Sequence, residues 1–102
     1  DSVTKVAGKR VDLEEIATAV RAFPGVSDCL VLALTENSGR GSRIAVLAAG
    51  DMAAPETLRH FLAGRLESHA LPKIIRTVAR IPMKKNGKHD REAVLRLLGS
   101  GR

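Results

Sequence analysis

Two short segments, Cys29–Leu34 and Ile44–Ala49, are apolar at every position. Neither approaches the roughly 20 residues that a membrane-spanning helix needs. With their flanks they read as buried strands, Val26–Leu34 and Arg43–Ala49, because a strand covered on both faces loses its polar alternation. The connection Glu36–Ser42 carries two glycines and is too short for a crossover helix. The two strands are therefore expected to be antiparallel neighbours.

The rest of the chain is arranged around that pair. Val3–Ala7 alternates as a strand, Gly8-Lys9 is a turn candidate, and Arg10-Val11 can return as a second strand. Asp12 suits a helix N-cap, with Glu15 at capping-box spacing. Leu13, Ile16, Ala17 and Val20 follow helical periodicity, and Phe23-Pro24-Gly25 closes that helix. A second helix is expected from Pro55 to about Ser68, carrying His60 and His69, with Leu58, Phe61, Leu62 and Leu66 on one stripe. Pro72 prevents its continuation. Ile74–Ile81 reads as a third central strand and Met83–His89 as a polar turn. Asp90 caps a last helix facing Ala93, Val94, Leu97 and Leu98 inward, and Gly99–Arg102 is expected to fray. The result is a small α+β domain: an N-terminal β-hairpin plus about three central strands, covered by about three helices.

Composition narrows the function. The 102 residues suit one compact domain. Aromatic residues are 2%, without Trp or Tyr, which argues against a stacking platform for single-stranded nucleic acid. A formal charge of +6 points to an anionic partner without saying which. The lone cysteine, Cys29, excludes an internal disulfide and reads as a small buried hydrophobe. No secretory leader pattern opens the sequence, and a reducing, cytoplasmic setting is expected. The histidines form no metal-ligand spacing with Cys29, so no metal site is expected.

Two segments carry candidate chemistry. Lys84-Lys85-Asn86-Gly87-Lys88 follows a strand and precedes a capped helix, and Asn-Gly favours a tight turn with positive φ. A lysine projected from it can neutralise charge developing on a phosphoryl oxygen. On its own this is also what a solvated turn looks like, and with Arg91 the lysines could equally form a nucleic-acid patch. In Lys5-Val6-Ala7-Gly8-Lys9-Arg10-Val11, a glycine that permits close approach is ringed by positive charge, although an ordinary basic hairpin has the same composition.

Read together and in order, the motifs resemble the C-terminal domain of the adenylate-forming superfamily, which includes acyl-CoA synthetases, nonribosomal peptide adenylation domains and luciferases. Asp1-x-x-x-Lys5-x-x-Gly8-x-Arg10-Val11-x-x-x-Glu15-Ile16 resembles the hinge-proximal motif. Phe23-Pro24-Gly25-Val26-x-Asp28 is similar to an internal stretch, and Leu71-Pro72-x-x-Ile75 with Ile81-Pro82-x-x-x-Asn86-Gly87-Lys88-x-x-Arg91 resembles the closing motif. The likeness covers nearly the whole chain. It implies that residues 1–102 form a small C-terminal domain beginning at an interdomain hinge, preceded by a large domain that binds ATP with Mg and a small carboxylic or fatty acid.

By the same resemblance, Asp1 matches the hinge acid and Lys5 a position that contacts the adenylate in some members. Gly8 matches a glycine lining the pantetheine channel, and Arg10 an arginine that approaches the nucleotide phosphates. Lys88 matches the catalytic lysine bridging carboxylate and α-phosphate. Lys84 stands where the family often has Thr or Ser, and His89 where it commonly has Ile or Val.

The implied activity is ATP-dependent acid–thiol ligation, with coenzyme A or a phosphopantetheine thiol as acceptor. A CoA-type ligase is preferred slightly over a carrier-protein-loading adenylation domain. The partners are the chain's own large domain and, as a further candidate, an acyl carrier protein; no nucleic acid and no membrane are expected. The fragment alone is expected to be inactive. A basic nucleic-acid-binding domain and a non-catalytic interaction module are the competing classes. The first explains the charge but not the ordered motifs. The second rests on Lys84, His89 and the missing large domain.

Overall fold

The computed structural model describes residues 3–35, 42–51 and 55–100. Asp1, the expected hinge acid, and residues 36–41 of the expected loop lie outside them. Among the described residues the order is β1 (Val3–Val6), β2 (Lys9–Asp12), α1 (Leu13–Arg21), β3 (Val26–Thr35), β4 (Ser42–Gly50), α2 (Pro55–Ala63), a short 3-10 turn (Ser68–Ala70), β5 (Ile74–Val78) and α3 (Arg91–Ser100). This is the expected small α+β arrangement. Strands β1 and β2 form an antiparallel ribbon, and β3, β4 and β5 form a second sheet with β4 at its centre.

The apolar runs are explained by what covers them. One face of the sheet presents Cys29, Val31, Ile44, Val46, Ala48 and Ile75 to residues from α1 and α2. The other presents Leu30, Leu32, Ala45, Leu47 and Ala49 to Ile81 and to Val94 and Leu98 of α3. The period-2 alternation of a strand is intact here, but both faces are dry, so it leaves no polar trace. Strand β4 pairs antiparallel with β3, as expected, and parallel with β5, a relation the sequence did not disclose. The crossover containing α2 makes that parallel return possible.

Helix α1 forms as its sequence demands. The Asp12 carboxylate accepts the Glu14 backbone N–H (2.9 Å), Glu14 and Glu15 occupy the first turn, and Arg21 lies in the last. These charges complement the helix dipole at both ends. The two phenylalanines tie α1 to α2, with Phe23 and Phe61 meeting edge-on at 5.0 Å and the Arg65 guanidinium 4.4 Å over the Phe61 ring. They are part of the packing, so neither offers a free stacking face.

Four boundaries differ from the sequence reading. Helix α2 ends at Ala63 rather than near Ser68. Gly64 and Arg65 continue only as a turn, Glu67 is extended, and His69 therefore sits in the 3-10 turn. Leu66 still packs on the core, which is why the apolar stripe seemed to run on. Strand β5 stops at Val78, although Ile81 is fully buried on the α3 face. The N-terminal turn is Ala7-Gly8, one residue earlier than expected, with φ of 53° and 81°. Positive φ at both positions gives a two-residue turn whose twist suits a hairpin, at a cost of about 1 kcal/mol for an alanine there. Finally, α3 continues through Ser100. No helix among the described residues is long and apolar enough to cross a membrane.

Candidate active site

The segment from Pro82 to Asp90 is held as a closed hairpin by its own backbone. The Lys84 N–H donates to the Lys88 carbonyl (2.7 Å), Gly87 N–H to the Lys84 carbonyl (3.0 Å) and Asp90 N–H to the Pro82 carbonyl (2.9 Å). The Asn86 side-chain oxygen accepts the Lys88 N–H at 3.0 Å, and Gly87 has φ of 85°. The expected Asn-Gly turn is thus present, and only a residue tolerant of left-handed backbone suits its second position. Lys84 through Lys88 are all exposed. Beneath them the loop is fixed to the body at both ends. Ile81 is core, and the Asp90 carboxylate accepts the Ala93 N–H (3.1 Å) at the start of α3.

Lys88 lines a groove of about 430 Å³ with Leu30, Lys84, Gly87, His89, Arg91 and Glu92. A neighbouring groove of about 460 Å³ shares Leu30, His89 and Arg91 and adds Arg21, Cys29 and Glu14. Cations outnumber carboxylates along both, so the surface suits an anionic ligand.

His89 takes a position that sequence reasoning did not assign. Its Nε2 lies 2.8 Å from an Asp28 carboxylate oxygen, linking the loop to the start of β3. Asp28 belongs to the Phe-Pro-Gly-Val motif, but nothing in a linear reading pairs residues 61 positions apart.

Cys29 is buried as expected, with its thiol 3.7 Å from the Ala17 carbonyl. Burial pushes the thiol above its ordinary pKa, opposed by the Arg21 guanidinium 4.0 Å away. A folded value raised above the unfolded one means that this contribution to stability is intact below the unfolded thiol's pKa. It is lost as pH rises through the folded value. Cys29→Ala should therefore remove part of the loss of stability seen on the alkaline side, measured as thermal midpoints between neutral pH and about pH 10.

The other expected site residues lie on the β1–β2 ribbon. Lys5 and Arg10 are directly opposite one another across it. Like charges so placed share one face and repel, which is a liability unless an anion is brought to them. At Gly8 an added Cβ would meet nothing within 4 Å. The folded chain itself does not require the space, so the vacant side is open to whatever approaches from outside. Arg10 lines a small groove with Glu15, Arg65, Glu67 and His69, and no lining residue of that groove is shared with the Lys88 grooves. Lys5 and Arg10 thus pair across the ribbon with Gly8 in its turn, and Arg10 and Lys88 line different grooves. No group of three or more His, Cys, Asp or Glu among the described residues could hold a metal ion.

The AMP-binding enzyme C-terminal domain family matches residues 15–88. Phenyloxazoline synthase MbtB of Mycolicibacterium paratuberculosis is 37% identical over 98% of this chain, which covers 9% of that protein. A four-domain nonribosomal peptide synthetase, solved with AMP and glycine, superimposes with a TM-score of 0.77. It is 26% identical, over 87% of this chain and 7% of its own. The fatty acyl CoA synthetase of Mycobacterium tuberculosis has the same fold, with a TM-score of 0.78, 22% identity, and coverage of 94% of this chain and 19% of its own. The chain spans less than a tenth of the length of the curated relatives it matches. With the match extending from Glu15 in the first turn of α1 to Lys88, this chain belongs to the AMP-binding enzyme C-terminal domain family of the adenylate-forming superfamily.

Proposed function

We propose that residues 1–102 act as the mobile small domain of a larger ATP-dependent adenylating enzyme, hinged near Asp1, and that the enzyme loads a carrier protein. The observation that carries the two-step part of this reading is the separation of the cations. Lys88 tips a hydrogen-bonded turn in one cationic groove, while Arg10, paired with Lys5 across the Gly8 ribbon, lines another. One rigid body with two such surfaces can serve two successive reactions by changing which surface faces a common substrate site.

In the first reaction a carboxylate oxygen attacks the α-phosphorus of ATP and pyrophosphate leaves. Two anions must approach, and the Lys88 ammonium between them stabilises the charge as it redistributes. In the second, a thiol sulfur attacks the acyl carbon, a thioester forms and AMP leaves. Here the ribbon faces the substrate: Lys5 and Arg10 meet adenylate and phosphate charge, and the bare side of Gly8 borders the channel for the pantetheine thiol. Mg travels with the ATP phosphates, bound mainly by the preceding large domain.

The choice of acceptor rests on the comparisons. Of the two solved structures compared above, the nonribosomal peptide synthetase is above 25% identity, whereas the fatty acyl CoA synthetase falls below that level and supports the fold alone. This favours a carrier-bound phosphopantetheine arm over free coenzyme A, the reverse of the slight preference drawn from sequence. The deciding experiment supplies the parent polypeptide with ATP, Mg and a panel of amino and carboxylic acids. Pyrophosphate release is followed first, and then acyl transfer to a phosphopantetheinylated carrier protein or to coenzyme A, by mass spectrometry. Transfer to the carrier is expected; transfer to coenzyme A alone would return the assignment to a CoA ligase.

A further inference from the structure

Resting on the role proposed for Lys88, we infer that His89 and Asp28 form a clamp that fixes the Lys88 turn against β3, so that both are positioning residues for adenylation. The loop's backbone bonds close it on itself but do not orient it on the domain. Its ends are anchored through Ile81 and the Asp90 cap. Between those ends, among the described residues, the side-chain hydrogen bond from the loop to another element is His89 Nε2 to Asp28 Oδ2 at 2.8 Å. His89 adjoins Lys88 in sequence, lies opposite Met83 across the loop, and lines both grooves.

Asp28 is itself aimed. Its other oxygen accepts the Cys29 backbone N–H at 2.9 Å. It also follows a β-bulge, where Val26 pairs with Gly50 and Asp28 with Ala49, leaving Ser27 extra. A bulge redirects the side chains beside it. The clamp is part-exposed, with side-chain exposures of 26% for His89 and 42% for Asp28, so its weight in overall stability is small. Its effect falls on where Lys88 points. Adenylation needs the ammonium placed between two reacting groups, and a displacement of about 1 Å can cost up to about 100-fold in rate.

The test is a double-mutant cycle in the parent polypeptide, using His89→Val, Asp28→Ala and the pair, with His89→Gln and Asp28→Asn as hydrogen-bonding replacements. Each single truncation should lower kcat for adenylation by about tenfold with KM for ATP unchanged. The double variant should lose no more than either single one. Glutamine and asparagine should restore most of the rate, and thioester formation from a supplied acyl-adenylate should be unaffected. Equal losses in both half-reactions, additive losses, or an unchanged kcat would overturn the clamp. Lys88→Ala in the same assays separates this from the reading beneath it. If that variant abolishes adenylation while His89→Val does not slow it, the clamp alone is wrong. If Lys88→Ala spares adenylation, the role of Lys88 falls and the clamp falls with it.

Discussion

Lys88→Ala in the parent enzyme is expected to lower the rate of adenylation by about 100-fold to 1,000-fold, the range observed when one preorganised donor to a developing charge is removed. The loss should appear equally in kcat and kcat/KM, because in the proposed role the ammonium acts on the transition state rather than on bound ground-state ATP. Thioester formation from a supplied acyl-adenylate should persist, since the groove lined by Arg10 shares no residue with the one lined by Lys88. Stability should be unchanged within about 0.5 kcal/mol: the side chain is exposed, and the turn is held by backbone groups and Asn86, none of which the substitution touches. The combination matters more than any one readout. A fall in both half-reactions together with a lowered melting temperature would make Lys88 a structural residue. Survival of both half-reactions would remove it from the chemistry and favour an interaction module.

What the sequence disclosed and what it withheld divide along physical lines. Periodicity reports which face of a helix is dry and an unbroken apolar run reports a strand dry on both, so Ile16, Ala17 and Val20 of α1 and the runs in β3 and β4 were legible. Local chemistry was legible too: the Asp12 and Asp90 caps and the Asn86-Gly87 turn depend on groups within a few residues of one another. Periodicity does not report partners. Nothing in Ile74–Val78 says that it runs parallel to β4, because that depends on the path of α2. The overlong α2 shows the same limit, since Leu66 keeps the helical stripe's apolar character while reaching the core from a turn.

The candidate site was legible as residues but not as an arrangement. Lys88 and the Gly8 ribbon were proposed from ordered motifs, and only the fold shows that Lys88 and Arg10 line different grooves. His89 looked like a polar intruder at a position the family usually fills with Ile or Val. Its acidic partner lies on another element, and only the fold supplies it.

Gly50→Ala is expected to destabilise this chain severely. Gly50 closes β4 with φ of 140°, a backbone region that alanine rarely enters. An added Cβ would also fall well inside contact distance of the Gly25 carbonyl oxygen and 2.9 Å from the Ser27 nitrogen. Neither neighbour can yield cheaply. The Gly25 carbonyl accepts the Asp51 N–H at 3.1 Å, and Ser27 is the bulged residue, whose hydroxyl donates to the Ala49 carbonyl at 3.2 Å. The clash is therefore a methyl against backbone that cannot swing away, at the end of a strand buried on both faces. A cost of about 4 kcal/mol or more is expected, a large share of the roughly 5–15 kcal/mol that holds a native fold together. Thermal unfolding should show a midpoint lowered by about 15 °C or more, or no cooperative transition. Gly64→Ala is the matched control: an added methyl there meets only the Phe61 carbonyl at 3.7 Å, an ordinary contact, and no positive φ is involved. It should be neutral or slightly stabilising. If Gly50→Ala melts within about 5 °C of the parent, the close approach of the two glycines is misplaced, and with it the bulge that aims Asp28 at His89.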